Sequence, residues 1–479
     1  MNTIDLSASE LKTALPGFSK VISRSSTLPV LRMLRLSREK NGSVKLQATD
    51  LDSFATYRIQ KNQPGPALDL LLPYDELVKA IKSAPAQECI NLDVDEQDSC
   101  KIRYSLAGCP VEHAVETVGV NEWPPIPLIA AKSFHLAKEF GLALKQALVC
   151  SSNDPSRYVL RGACLDVEDR KLHYVVATNG RVLYCANSFS FNLKKAVIIP
   201  NSRFLSWNGF LESEECLLSV GPSAGKLTTN WVKLETLSWS FLTREIEGQY
   251  PNWKQVVPQS SGKATKIILG EQALKQLLAV IPRLPGGDDS NHPVRLRTQS
   301  SQVFIEGRTQ NARDWTTLPV TDAVAEGNSA FVVLNRDYLV PALQFRLNQL
   351  EIVDAFSPVT FWNGGKKMIV MPVKPDTTAT PAKPEKTTNE SQTMPPTPQN
   401  PLPGGNAEAH RNNTNHDSRA PLKHALDQVE QLKTSLRELA GQVGEVASLL
   451  KAAEKERRGA SREVESVRAT LRSLQKVAL

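Results

Sequence analysis

Two recurring patterns of apolar and polar residues run through most of the chain. The stretch LQATDLD at 46–52 is typical of a strand that enters a turn, and VVATNGR at 175–181 repeats it. A strand end followed by an amphipathic helix occurs three times, in LLPYDELVKAI, IIPNSRFLSWNGFL and VLNRDYLVPALQF. The anchors of this second pattern, Pro73, Pro200 and Asn335, lie 127 and 135 residues apart. This spacing indicates an internal repeat.

Each repeat also opens with a helix-like stretch, namely SASELKTALPGFSKVIS, SFHLAKEFGLALKQALVC and GEQALKQLLAVIPR. Ser7 and Ser133 suit the N-cap positions of the first two helices. The patterns together predict three similar α+β units of about 120–130 residues. The predicted domains cover residues 1–127, 128–258 and 259–374.

The pattern changes abruptly after the apolar run MIVMPV, which ends the third repeat at Lys374. Residues 375–421 hold nine of the 31 prolines and almost no large apolar groups, which predicts a disordered linker. Residues 422–479 show a heptad repeat, which predicts an α-helical coiled coil. A single amphipathic helix that packs on another protein is the alternative. The heptad core positions are Leu422, Val429, Leu432, Leu436, Leu439, Val443, Val446, Leu450, Val464, Val467, Leu471 and Leu474.

Composition narrows the class of protein. Apolar residues make up 41% of the chain and charged residues 22%, as in ordinary globular proteins, and no export signal or membrane span is evident. The seven cysteines form no Cys-x-x-Cys pair, so we expect reduced thiols and a cytoplasmic location, with no metal site. Residues 375–479 hold 15 Lys+Arg and 13 Asp+Glu, which leaves 42 Lys+Arg and 37 Asp+Glu in residues 1–374. This net charge of +5 permits contact with nucleic acid without indicating a dense basic patch.

Motifs for catalysis are weak. GPSAG at 221–225 matches the Gly-x-Ser-x-Gly elbow of hydrolases, with Ser223 as nucleophile, but a strand-like stretch follows where the elbow needs a helix. A hairpin turn is the favoured interpretation. No phosphate-binding glycine loop is present in the sequence, so we expect no nucleotide cofactor, and indeed no cofactor of any kind.

Five stretches together resemble the bacterial sliding clamp, the β subunit of DNA polymerase III. They are STLPVLRMLRL…VKLQATDLD (26–52), SRYVLRGACLDVEDRKLHYVVATNGRVL (156–183), VIIPNSRFL (197–205), IEGQYPNWKQVVP (246–258) and VMPV (370–373). They come in the family's order and spacing and span the whole of the threefold repeat.

The resemblance implies three clamp domains per chain and a head-to-tail homodimeric ring around duplex DNA. It implies a non-catalytic processivity factor that tethers DNA polymerase III, a clamp loader and other proteins carrying a clamp-binding motif, in the bacterial cytoplasm at the nucleoid. Contact with DNA would be independent of base sequence. The alternative is a clamp-fold scaffold that binds partner peptides and oligomerises through its coiled coil without encircling DNA.

Three sets of site residues follow from the resemblance. The DNA-facing set is Arg24, Lys138, Lys145, Arg203, Lys275, Arg283 and Arg336. The pocket for partner peptides would take a Gln followed, after a few residues, by Leu or Phe. Its residues are Leu160, Thr178, Gly180, Arg181, Val182, Leu183, Pro251, Val256, Thr360, Ile369, Met371 and Pro372. The ring interface is His113 and Val115 on one side and Leu284 on the other.

This chain departs from the family's pattern at each of these sites. Arg24 stands one place earlier than the family's arginine, and His113 replaces a larger apolar group. Asn179 and the residues after it replace an Asp-Gly-His-Arg sequence at the pocket. A weakened ring interface is therefore expected, and the coiled coil would then supply dimerisation.

Overall fold

A computed structural model describes residues 2–373 apart from Arg24, 95–99, 118–119, 212–214, 224–228, 259–261, Ser290 and Asn311. The predicted linker and coiled coil lie outside the described residues, as does the predicted DNA contact Arg24. None of the helices in the described part is long and apolar enough to cross a bilayer.

The first unit combines two antiparallel sheets with two helices. Leu6, Leu11 and Leu72 are among its fully buried side chains, and they come from a strand, a helix and another strand. Its elements are β1 (Asn2–Ser7), α1 (Ala8–Phe18), β2 (Met33–Arg38), β3 (Val44–Thr49), β4 (Ser53–Arg58), β5 (Leu68–Pro73), α2 (Tyr74–Ser83), β6 (Cys89–Val94), β7 (Cys100–Leu106) and β8 (Cys109–Val115).

The second unit repeats this order with one helix fewer. Residues 134–136 form a strand and the helix starts at Phe140, so the N-cap prediction for Ser133 is wrong. Its elements are β9 (Phe134–Leu136), α3 (Phe140–Val149), β10 (Gly162–Asp166), β11 (His173–Thr178), β12 (Val182–Phe189), β13 (Val197–Pro200), β14 (Cys216–Pro222), β15 (Asn230–Glu235) and β16 (Trp239–Arg244).

The helix predicted after Pro200 does not form. Turns replace it, and they bury Phe204 and Phe210 and leave Trp207 half-buried. Phe204 and Trp207 pack against Trp239 of β16, and Phe210 packs against Phe204. Trp207 and Trp239 also contact α1 of the first unit, where a Cβ on Gly17 would come within 2.6 Å of the Trp207 ring. Aromatic packing at the junction of the two units therefore takes the place of the helix.

The third unit restores both helices. Asn335 caps the second of them, because its side chain accepts the N–H of Asp337. Its elements are β17 (Thr265–Leu269), α4 (Glu271–Val280), β18 (Pro293–Gln299), β19 (Gln302–Gly307), β20 (Thr316–Val320), β21 (Ala323–Glu326), β22 (Phe331–Asn335), α5 (Arg336–Gln344), β23 (Gln349–Ile352), β24 (Val359–Asn363) and β25 (Lys366–Val370). The predicted domain limits at 127/128 and 258/259 fall between β8 and β9 and between β16 and β17.

Sheets join across the unit boundaries at equivalent strands. The first and second units meet where β4 pairs antiparallel with β16, and the second and third meet where β12 pairs antiparallel with β25. By element order, β4, β12 and β20 are equivalent, as are β8, β16 and β25. Sheet β1-β6-β7-β8 ends at β8, and sheet β20-β19-β18-β22 ends at β20. Among the described residues, the outer edges of these two strands have no partner strand, so β8 and β20 are the open members of a repeated junction.

Candidate peptide site and DNA-facing surface

Four of the predicted pocket residues lie in one transverse row of the nine-stranded sheet. Register pairs Thr178 with Leu183, Leu183 with Ile369, and Ile369 with Thr360. Because directly opposite residues project to the same face of a sheet, the four side chains share one face. The row crosses the junction of the second and third units.

The adjoining residues on this face are apolar. Leu183 and Ile369 form a small cluster with Val176, Cys185 and Trp253 that is separate from the main core. Sequence reasoning missed Val176, Cys185 and Trp253, although the first two follow from the two-residue period of β11 and β12. The cluster gives the row an apolar floor.

Val182 does not belong to this floor. It pairs with Val370, and both side chains belong to the main core on the other face of the sheet. The prediction of Val182 as a pocket residue is therefore wrong, because adjacent strand residues face opposite sides.

A short segment after β16 forms one side of the site. A 3-10 helix, Trp253–Val256, is held to the sheet by two hydrogen bonds. The Trp253 Nε1–H donates to Asp166 Oδ2 at 2.8 Å, and the Tyr250 hydroxyl accepts the Thr178 N–H at 3.0 Å. These bonds position Pro251 and Val256, which are both exposed, next to the row.

The turn between β11 and β12 is built from side-chain acceptors. Asn179 Oδ1 accepts the N–H groups of Arg181 and Val182, at 2.9 and 3.0 Å. Gly180 has a φ of +86°, and a Cβ there would lie 2.8 Å from Arg157 Nη1. The asparagine thus supplies the oxygen that an aspartate would supply, so the departure from the family's sequence leaves the turn intact.

The end of β25 forms the other side of the site. The Met371 N–H donates to the Arg181 carbonyl at 2.9 Å, which holds the chain beside the turn as it leaves the sheet. Met371 is 46% exposed and Val256 is 59% exposed. Pro372 and Leu160 are half-buried. The arrangement presents exposed apolar groups at a fixed place on the surface, which suits the anchors of an extended peptide.

Five of the predicted DNA-facing residues lie at or near the surface. Lys138, Arg203, Lys275 and Arg283 are exposed, and Lys145 is half-buried on α3. Lys12 of α1 occupies the position equivalent to Lys145 and Lys275, as the sequences ELKTAL, LALKQAL and QALKQLL show. The same alignment could have found Lys12 from the sequence.

Arg336 is a different case. It is only 6% exposed, and its guanidinium donates to the carbonyl oxygens of Ile281, Leu284, Pro285, His292 and Pro293 at 2.9–3.3 Å. The prediction of Arg336 as a DNA-facing residue is therefore wrong, because the charge faces the interior of the third unit.

The predicted ring-interface residues are also largely covered. Val115 and Leu284 are 4% and 5% exposed, so neither side chain offers a surface to another chain. His113 is half-buried against Tyr104, with the ring centroids 6.1 Å apart. Direct contact by Val115 and Leu284 is therefore at odds with the structure. Among the described residues, β8 and β20 are the terminal strands of their sheets.

Ser223 directly follows β14 and bridges to Ile129, and the next element among the described residues is the strand β15. The nucleophile elbow needs a helix after the serine, and the described residues between Ser223 and β15 show none. Within the described residues, no group of three or more His, Cys, Asp or Glu side chains is arranged to hold a metal.

Comparison with known proteins places this architecture in the class of three-domain clamps. The structure matches DNA polymerase III subunit β from Pseudomonas aeruginosa with a TM-score of 0.64 at 19% identity, covering 78% of this chain and 100% of that one. It matches the β subunit from Streptococcus pyogenes with a TM-score of 0.66 at 16% identity, again over 78% of this chain and 100% of the other.

The sequence agrees with the fold. The chain is 24% identical to the β sliding clamp of Pseudomonas putida over 333 residues, which are 67% of this chain and 84% of the relative. It is 22% identical to the β sliding clamp of Haemophilus influenzae over 386 residues, which are 77% and 99% of the two chains. No family model matches. The chain is a divergent homologue of the bacterial β sliding clamps.

Proposed function

We propose that this protein is a sliding clamp that encircles duplex DNA and acts as a processivity factor for a replicative polymerase. The observation that carries the proposal is the repeated junction. Equivalent strands join the units twice within the chain, and β8 and β20 are the free counterparts. A second copy placed head to tail would use these edges twice and close a ring of six units.

The DNA-facing surface fits a topological link. Lys138, Lys275 and Arg283 are exposed cations at or next to the first helices of their units. Scattered cations of this kind make phosphate contacts without reading base edges, and such contacts let a protein slide. The protein itself is non-catalytic in this proposal, and an ATP-driven loader would open the ring.

The apolar row and its exposed flanks would hold the partners. A polymerase subunit, a clamp loader or a repair protein would insert a short segment with leucine or phenylalanine anchors between Val256 and Met371. The bacterial cytoplasm is the proposed location.

The test is retention on DNA circles. The full-length protein, a loader and ATP are mixed with primed circular DNA, and the DNA is gel-filtered before and after linearisation. Co-elution with circles and loss from linear DNA are expected. Absence from circles, or retention after cutting, would refute encirclement.

The scaffold alternative keeps the peptide site and lacks encirclement. One observation favours it. The Gln276 side chain hydrogen-bonds the backbone of Pro319 and Thr321 at the outer edge of β20, and Pro319 has no N–H to offer an incoming strand. Absence from circles together with intact binding of a motif peptide would support this alternative.

A further inference from the structure

The outer edge of β20 is closed by a side chain from α4. Gln276 Nε2 donates to the carbonyl oxygen of Pro319 at 2.9 Å, and Gln276 Oε1 accepts the N–H of Thr321 at 2.9 Å. The Thr321 hydroxyl donates to the same Oε1 at 2.9 Å. Because Pro319 and Thr321 are two residues apart, their backbone groups point to the same edge, and β19 occupies the other edge. The Gln276 amide therefore makes the two hydrogen bonds that an incoming strand would make.

Pro319 closes the edge further. A proline has no N–H, so an incoming strand finds a carbonyl but no donor at this position. By the same alternation, Thr317 is the next residue on this edge with both backbone groups. Natural sheets protect free edges with such devices, which here fall on the strand that the repeat assigns to self-association.

The second unit shows how the equivalent glutamine behaves when the junction is formed. Gln146 of α3 aligns with Gln276, since LALKQAL matches QALKQLL. Its Oε1 accepts the hydroxyl of Tyr184 at 2.7 Å, and both side chains are buried. The backbone edge of β12, which carries Tyr184, is thus left to pair with β25. A glutamine at this helix position is compatible with the junction when its amide binds a side chain.

We propose that Gln276 is a latch on β20 that competes with β8 of a second copy for the same backbone groups. The inference rests on the proposed ring. Closing the ring breaks the two hydrogen bonds between the Gln276 amide and the backbone of Pro319 and Thr321. We expect the latch to weaken closure by about tenfold, which corresponds to about 1.4 kcal/mol.

The test compares Gln276→Met with Gln272→Met in the full-length protein. Methionine keeps the length of the side chain and removes the amide, and Gln272 is an exposed glutamine on the same helix. The readout is hydrogen exchange of those β8 amides, within residues 109–115, that face away from β7, over a range of protein concentrations. Protection of these outward-facing amides reports pairing of β8 with β20, whether the second copy comes from solution or is already tethered.

The latch predicts an equilibrium constant for β8 protection about tenfold larger in Gln276→Met than in the wild type, with Gln272→Met unchanged. Equal or weaker protection in Gln276→Met overturns it, as does a β8 segment that stays unprotected in every variant. The circle assay keeps the two proposals apart. If the wild type is retained on circles and Gln276→Met shows the same β8 protection as the wild type, the latch is refuted and the sliding-clamp proposal stands.

Discussion

Replacement of Arg336 by methionine separates a structural arginine from a DNA contact. The guanidinium donates to five backbone carbonyls, all from the segment that follows α4. A hydrogen bond from a charged donor contributes about 1.5–3 kcal/mol, and such contributions do not add fully. Removing the donor leaves carbonyl oxygens without a partner, and each acceptor that stays buried and unsatisfied costs about 1–3 kcal/mol. We expect Arg336→Met to lower the free energy of unfolding by at least about 3 kcal/mol, because it strips the donor from five acceptors at once.

The assay is urea denaturation combined with hydrogen exchange of residues 281–293, which assigns the loss to the third unit. Arg283→Met is the matched control, because Arg283 is exposed in the same segment. DNA binding is measured over a range of salt concentrations. Arg283→Met should reduce the salt slope by about one and leave stability unchanged, whereas Arg336→Met should leave the slope unchanged under conditions where it is folded. A stable Arg336→Met with a reduced slope would refute the reasoning.

Three further predictions concern the site, the thiols and acid stability. Met371→Asp should weaken binding of a labelled Gln…Leu-Phe peptide at least about tenfold, because a charge replaces an exposed apolar anchor, and fluorescence anisotropy measures this. Leu237→Asp, at a 74% exposed position outside the site, should leave binding unchanged. Of the seven thiols, Cys89 and Cys109 are exposed and should react quickly with a thiol reagent in the native protein, whereas the five buried thiols should react only after unfolding; fast reaction of more than two would contradict this. Burial raises the pKa of Glu306, but hydrogen bonds from two arginines outweigh burial and hold that pKa below its usual value of 4.5. The carboxylate therefore stabilises the fold above pH 4.5, and this contribution is lost as the pH falls through the lowered pKa. E306Q should therefore be less stable at pH 7 and show a flatter acid limb in denaturation curves, and an unchanged limb would contradict the assignment.

The repeat was predictable from sequence because its signals are local. A strand end followed by proline or asparagine and an apolar helix face is readable wherever it occurs, and it gave α2 and α5 correctly. The same signal failed after Pro200, where Phe204, Trp207 and Phe210 are spaced three apart but turn inward together. Packing against Trp239 of a distant strand decides that segment, and no local pattern contains that information.

The site was predictable in part for the same reason. Motif positions grouped Thr178, Leu183 and Ile369, and the structure brings these side chains together because neighbouring strands carry them in register. Their role in binding a peptide stays a prediction. Val182 could have been excluded from the two-residue period alone. Arg336 could not, because its carbonyl partners lie 43–55 residues away in sequence and converge only in the folded unit.

The proposed ring of two copies has three kinds of junction, each present twice, and they differ in how they form. Both junctions within the chain pair five residues on each strand and form without any loss of translational freedom. The third junction joins separate copies, and association of this kind costs several kcal/mol more. Its strand β20 also lacks an N–H donor at Pro319. The Pro319 carbonyl and the Thr321 N–H are already hydrogen-bonded to Gln276. A ring with four permanent junctions within the chains and two weakened junctions between copies would open at an edge between copies, which is where a loader must act to admit DNA.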